Sequence, residues 1–379
     1  MSSISAVSAI SAISASPVIS ITPLGFPWVT MDPFLFCAYH DDAYPAANGA
    51  MGPNASLAGR DMGQDFSRKD GWSMYHGQTV PGFPPHPHRG FETVTIVRKG
   101  LIDHSDSLGA TARFGQGDVQ WLTAGSGIVH AEMFPLLDEA APNPLELFQI
   151  WLNLPAKSKM ADPHFTMFWS HNMPRQTARD AQGRITEIAV VAGRLQETDG
   201  TGQSATTEPL PPPPDSWAAQ SDADVAIWTL RMAPGARWTL PAASGAQTRR
   251  NLYFFKGSSV SLGGQQVDAL AAIELRTSEP VDIVNTGNEV AEFLLLQGKP
   301  IAEPVAQYGP FVMNTQAEIK QTIADYRRTQ FGGWSFADDA PVHGRDPARF
   351  AIHPGGREER PAAMAGEPAE AARPVDTER

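Results

Sequence analysis

The stretch His86-Pro87-His88-Arg89-Gly90-Phe91-Glu92-Thr93-Val94-Thr95, read together with Ile128-Val129-His130-Ala131-Glu132-Met133, decides how this chain folds. In each stretch two side chains able to ligate a metal are separated by one residue. Residues i and i+2 of an extended strand share a face, so each pair aims two donor atoms in one direction. Between them, residues 92–98 are rich in β-branched side chains and end at the turn signal Lys99-Gly100. Working outward, strands are predicted at residues 119–122, 128–133 and 145–154, each bounded by Gly, Pro or Asn. Short strands joined by glycine-containing turns predict an all-β sandwich or barrel and exclude alternating βαβ units.

A second strand-rich stretch begins near Ile185, with strands predicted at 188–193, 225–232, 252–255, 272–275, 281–284 and 290–297. The chain therefore divides into an N-terminal barrel over 25–165 and a C-terminal barrel over 185–312. The segment 196–221, which contains Pro211 to Pro214, has no periodicity and is expected as an exposed, extended insertion. Thr315 and Glu318 form a capping-box pattern, Ile319, Ile323 and Tyr326 share a helical face, and Gly332-Gly333 stop the helix. That helix, within 313–333, is expected to pack on the barrels. Residues 1–24 are expected as a disordered or extended lead-in and 337–379 as a disordered tail.

The 379 residues suit two domains. The 33 glycines and 33 prolines suit a turn-rich chain, and a formal net charge of −12 argues against nucleic acid as a direct partner. No run of 18 apolar residues could span a bilayer. The single Cys37 allows no disulfide framework, and Met1 to Ile21 lack the basic residues of a secretory signal. A cytoplasmic location is expected.

The ten histidines are unevenly placed, and none lies between Asn172 and Val342. The second strand-rich unit is thus expected to be metal-free. His86, His88, His130 and Glu132 offer three imidazoles and a carboxylate, a set that suits divalent iron, with other divalent transition metals as alternatives. Four such ligands would leave about two positions of an octahedron open. A closed structural zinc site would more typically use cysteine ligands, and only Cys37 is available. Glu92 is read as sharing strand parity with His88, as a competing ligand or a hydrogen-bond partner near the metal. Arg89 is read either as bonding a carboxylate or anion beside the metal or as capping a barrel edge. His104 reads as a strand-end histidine, and His40 receives no role. Trp121, Trp151 and Phe83 read chiefly as core, with pocket lining as the alternative.

The first motif is very similar to the first cupin motif of the pirin family, and Gly117 to Met133 resembles its second. Trp151 to Lys157 and Gly309 to Thr315 also look like pirin. The resemblance runs from about residue 80 to 333. It implies two tandem cupin (jelly-roll) barrels, an iron held by His86, His88, His130 and Glu132, and a monomer. It assigns the metal to Glu132 rather than Glu92, and leaves Glu92 beside the ligands. Two functions follow from the resemblance. One is a quercetin 2,3-dioxygenase that cleaves a flavonol with O2 and releases carbon monoxide, with Glu132 as both ligand and base. The other is a metal-dependent regulatory protein that binds a transcription factor or metabolic enzyme without turnover. A metal that merely stabilises the barrel is a third reading, which open coordination positions disfavour.

Overall fold

Strands of β-branched and aromatic residues build both halves of the chain. The computed structural model describes residues 16–198 and 204–362. The first ten strands are β1 (Val18–Pro23), β2 (Phe34–Tyr44), β3 (Gly82–His88), β4 (Phe91–Lys99), β5 (Leu101–Asp106), β6 (Thr111–Gly115), β7 (Val119–Thr123), β8 (Ile128–Met133), β9 (Asn143–Asn153) and β10 (His164–Phe168). A sheet in the order β10-β7-β4-β9-β2 faces one containing β6-β5-β8-β3. Phe114, Leu122, Ile128, Leu147 and Phe165 fill the space between them.

The second barrel contains β11 (Arg175–Arg179), β12 (Ile185–Ala192), β13 (Leu195–Thr198), β14 (Ser204–Thr207), β15 (Ala226–Met232), β16 (Arg237–Leu240), β17 (Arg249–Lys256) and β18 (Val260–Leu262). It continues with β19 (Gln265–Val267), β20 (Ala271–Leu275), β21 (Val281–Asn285) and β22 (Ala291–Gly298). Its sheets run β1-β20-β17-β22-β15-β12-β11 and β16-β21-β18-β19, around a core that includes Trp228, Leu252, Phe254 and Phe293. The barrels pack sheet against sheet. Val94, Trp121, Phe148 and Ile150 of one meet Ile227, Tyr253, Leu294 and Leu296 of the other. The fold is the all-β double barrel expected, and Trp121 belongs to this layer between barrels rather than to a pocket.

After β23 (Ala306–Tyr308) and β24 (Phe311–Met313), helix α1 (Gln316–Thr329) starts with the anticipated capping box of Thr315 and Glu318. Its regular turns end at Thr329, because Gln330 adopts left-handed φ/ψ and a short 3-10 turn precedes Gly333. Ile319 packs with Val129, Phe311 and Phe331, so the helix closes one end of the first barrel.

Three expectations need correcting. Residues 18–23, within the expected lead-in, form β1 at the edge of the second barrel's sheet, with Ile21 opposite Ile273; residues 1–15 lie outside the described residues. The segment 196–221 is not simply extended. β13 and β14 pair as a hairpin, and Pro213 and Ser216 are buried. The tail beyond 337 is ordered through residue 362, with β25 (Phe350–Ile352) adding to β6 and β26 (Glu358–Glu359) to β25; residues 363–379 lie outside the described residues.

Long-range polar contacts, rather than local apolar periodicity, hold this strap. Arg349 meets Asp118 at 2.9 Å, Arg113 forks onto Asp103 and reaches the Gly344 carbonyl, and Trp169 donates to Glu359. Arg349→Ala leaves a buried carboxylate without its cation. It is expected to cost about 3 kcal/mol, measurable as a lowered denaturant midpoint at unchanged slope.

Candidate metal centre

The ligand geometry begins with a bulge. Phe83 pairs with Glu132 and His86 with His130, so β3 carries one extra residue between them, at Pro84-Pro85. A bulge is where a proline without an N–H is tolerated in a ladder. It also places Phe83 and His86, an odd number of positions apart, on the same inward face. His88 follows by strand alternation. The three imidazoles converge, with centroid separations of 4.4 Å (His86–His130), 4.8 Å (His86–His88) and 4.9 Å (His88–His130). One nitrogen from each lies within 4.8 Å of the others.

These rings are poised to bind a cation rather than carry a proton. Burial pushes His86 down to about 4 and holds His88 and His130 well below the ordinary histidine range, with neighbouring histidines lowering them further. His88 Nδ1 and both ring nitrogens of His130 are buried without a hydrogen-bond partner. Buried polar atoms are rarely left bare, and a divalent metal fits these neutral nitrogen donors. The Pro84 carbonyl accepts from His86 Nδ1 at 2.8 Å, which turns Nε2 inward as a lone-pair donor.

Glu132 stands beside this trio rather than within it. Its Oε2 is 4.0 Å from His130 Nε2, accepts from Gln149 Nε2 at 2.9 Å, and its Oε1 lies 3.2 Å from the Thr95 hydroxyl. Burial raises its pKa, with the His104 charge and the Thr95 and Gln149 hydrogen bonds partly offsetting this. His104 pairs across the sheet with Glu132 and bonds Asp106 at 3.0 Å, so it is a wall of the site rather than a loose strand end. Thr95 and Gln149 are cross-strand partners on β4 and β9. The alternation of β4 carried the signal for Thr95; Gln149 required the pairing register.

Glu92 is not beside the three-histidine cluster. The Arg89-Gly90 turn separates β3 from β4, so parity with His88 does not carry across it. Glu92 faces the layer between barrels, where it accepts from Thr123 at 2.7 Å and from Ser216 at 2.5 Å. Burial pushes its pKa up to about 7, against lowering by Ser216 and Thr123. A raised carboxyl makes the folded state bind the extra proton. Stability contributed by the neutral form is present at low pH and declines as pH rises from about 4.5 towards 7, by at most about 3 kcal/mol. Glu92→Gln is expected to flatten that slope in melting experiments and to leave metal content unchanged.

Arg89 does bond a carboxylate, but one on the helix. It reaches Asp325 at 2.9 Å and the Ser126 carbonyl at 2.7 Å, with its guanidinium 4.4 Å from the Phe331 ring. It locks α1 to the motif turns. Gly90, at φ 86°, must be glycine, since a Cβ there would lie 1.9 Å from the Val312 carbonyl oxygen.

The centre opens into a cavity of about 380 Å³, lined by Phe26, Phe36, Phe83, Phe134, Trp151 and His40 among others. This is within the usual size of small-molecule sites, roughly 300–1,000 Å³. Phe83 and Trp151 are therefore pocket walls. A larger groove, about 850 Å³, lies along β11 and β16, but it holds no histidine, and volume alone does not locate chemistry.

Comparison with known proteins agrees with this layout. The family model Pirin matches residues 25–152, and the Pirin C-terminal cupin domain matches residues 227–332. The chain belongs to the pirin family. It is 32% identical to human Pirin over 263 residues, which cover 68% of this chain and 80% of that protein. It is 36% identical, over 65% of its own length and 79% of the relative's, to a Pseudomonas aeruginosa protein provisionally named as a quercetin 2,3-dioxygenase. The crystal structure of a quercetin 2,3-dioxygenase from Acinetobacter baumannii superposes with a TM-score of 0.58 at 27% identity, over 79% of this chain and 86% of that one. This pirin thus pairs a barrel holding a three-histidine cluster with a second barrel in which, among the described residues, no such cluster occurs. No helix among the described residues is long and apolar enough to cross a membrane.

Proposed function

We propose that this pirin is a non-haem iron dioxygenase for flavonols such as quercetin. His86, His88, His130 and Glu132 are the residues that would hold Fe(II). The observation that carries the reading is a cluster of three neutral imidazoles beside a buried carboxylate, of which His86, His88 and Glu132 line an aromatic-walled cavity. Bound there, iron would supply Lewis acidity and a template for the substrate's adjacent hydroxyl and keto oxygens and O2. The chain's own residues do the rest. Trp151, Phe36 and Phe83 offer faces and edges for a planar ring system. Glu132, whose proton affinity burial has raised, takes the proton of the 3-hydroxyl at a carboxylate oxygen. Gln149 and Thr95 hold that carboxylate in place. The names and fold of the relatives support the same reading.

The test is anaerobic loading with Fe(II), followed by quercetin and then O2. Loss of the flavonol's visible absorption with release of carbon monoxide is expected, and a His86→Ala variant is expected to show neither. An iron-loaded protein that leaves flavonols intact would assign the centre to metal-dependent regulation of a protein partner.

A further inference from the structure

Apart from His86, His88, Glu132, Thr95 and Gln149, one polar side chain lines the cavity, His40, and its hydrogen bonds fix what it can do. His40 lies on β2, nearly buried, and lines the same cavity as His86, His88 and Glu132. Its Nδ1 is 2.8 Å from the Tyr75 hydroxyl, which is 2.7 Å from Asp42 Oδ2. Asp42 Oδ1 accepts from the Ser73 backbone N–H at 3.0 Å. Tyrosine has one hydroxyl proton. Burial raises Asp42 to about 6, against lowering by the Tyr75 and Ser73 hydrogen bonds, so above that pH it is a carboxylate that can only accept: the tyrosine proton points at Asp42, and the tyrosine oxygen accepts from His40 Nδ1–H. A neutral imidazole with a protonated Nδ1 presents a bare lone pair at Nε2. Among the described residues His40 Nε2 makes no hydrogen bond, and Phe26, Phe66 and Phe83 line the cavity beside the ring.

The arrangement is built at a cost. Tyr75 comes from the long connection between β2 and β3 and sits at φ 56°, an unfavourable region for an aromatic residue. That connection carries its own support: Arg60 bonds Asp65 at 2.8 Å and stacks 3.4 Å from Trp72, and Met74 N–H bonds Asp65. It is held so that Tyr75 reaches between His40 and Asp42. Burial, with a smaller contribution from Arg68, also lowers His40 to about 4, so the ring is neutral at working pH.

We infer that His40 Nε2 is a specificity-determining acceptor, oriented by Tyr75 and Asp42, for a phenolic hydroxyl that a planar aromatic ligand carries outside its metal-chelating oxygens. The inference deepens the proposed function and rests on that reading's assignment of the cavity to an aromatic ligand; it does not require turnover. It names polyhydroxylated aromatics as the class preferred over analogues with the chelating pair alone. The hydroxyl donates to Nε2, Nδ1–H donates to Tyr75, and Tyr75 donates to Asp42. No proton need leave the chain of bonds.

The experiment is anaerobic titration of the Fe(II)-loaded protein with quercetin and, separately, with 3-hydroxyflavone, which has no hydroxyl beyond the chelating one. Wild type is expected to bind quercetin more tightly. His40→Phe, which keeps an aromatic ring but no acceptor, is expected to weaken quercetin about tenfold and to leave 3-hydroxyflavone unchanged. His40→Gln, whose amide oxygen can accept, should recover part of the loss, and Tyr75→Phe should give a smaller loss confined to quercetin. Melting curves show whether each variant is folded. An equal loss for both flavonols in His40→Phe, or no loss for either, overturns the role of His40, and so does a wild type that does not prefer quercetin. A wild type that discriminates as described but turns over neither flavonol refutes the dioxygenase instead and leaves His40 standing.

Discussion

His130→Leu is expected to reduce bound metal from near one ion per chain to near none under dialysis, while the protein stays folded. The His130 ring lies 4.4 Å from that of His86 and 4.9 Å from that of His88. Removing it leaves two imidazoles on one strand and a carboxylate already held by Gln149. Disturbing residues that merely orient ligands costs metal affinity about 10–100-fold, so losing a ligand should cost at least about 100-fold. The stability effect runs the other way for the metal-free protein. Both His130 nitrogens are buried and unpartnered, and such atoms cost about 1–3 kcal/mol each. Leucine fills similar space without polar atoms, so metal-free His130→Leu should melt at or above the metal-free wild type. Adding Fe(II) should raise the wild-type melting temperature, since a ligand at 100 times its dissociation constant stabilises by about 2.7 kcal/mol, and should not raise that of the variant. Elemental analysis and paired melting curves check both parts. A variant that keeps stoichiometric metal would show that the cluster is not the binding site.

The reason this centre was legible in the sequence is local. His86 with His88, and His130 with Glu132, each lie within one strand, so alternation alone decides that each pair shares a face. What alternation could not carry was anything across a turn or a bulge. Glu92 was misplaced because the Arg89-Gly90 turn restarts the count, and the inward placement of Phe83 depends on the Pro84-Pro85 bulge. The double barrel was legible for the same local reason, since most strands in both halves carry their own β-branched runs and turn signals. The strap over 337–362 and the burial of Ser216 were not, because neither segment has a core pattern of its own. They are ordered by partners far along the chain: Asp118 for Arg349, and Glu92 for Ser216. His40 is the extreme case. Its tautomer follows only once Tyr75 and Asp42, from a loop and a strand, are seen to touch.

Glu132→Gln separates the two roles assigned to this carboxylate. The side chains are nearly the same size, and the amide oxygen can still lie against the Thr95 hydroxyl while Gln149 turns its own amide to accept, so the wall of the cavity should persist. What is lost is the capacity to take a proton. General bases contribute typically 10²–10⁴-fold, so kcat, normalised to bound iron, should fall at least about 100-fold. An amide is also a poorer metal ligand, which is why the normalisation matters. A second reading needs no turnover. A flavonol that has lost its 3-hydroxyl proton absorbs at longer wavelength than the neutral form, so the anaerobic wild-type complex should be red-shifted and the Glu132→Gln complex should not. If the red shift survives in Glu132→Gln, the bound cation alone removes the proton, and Glu132 is a ligand without being a base.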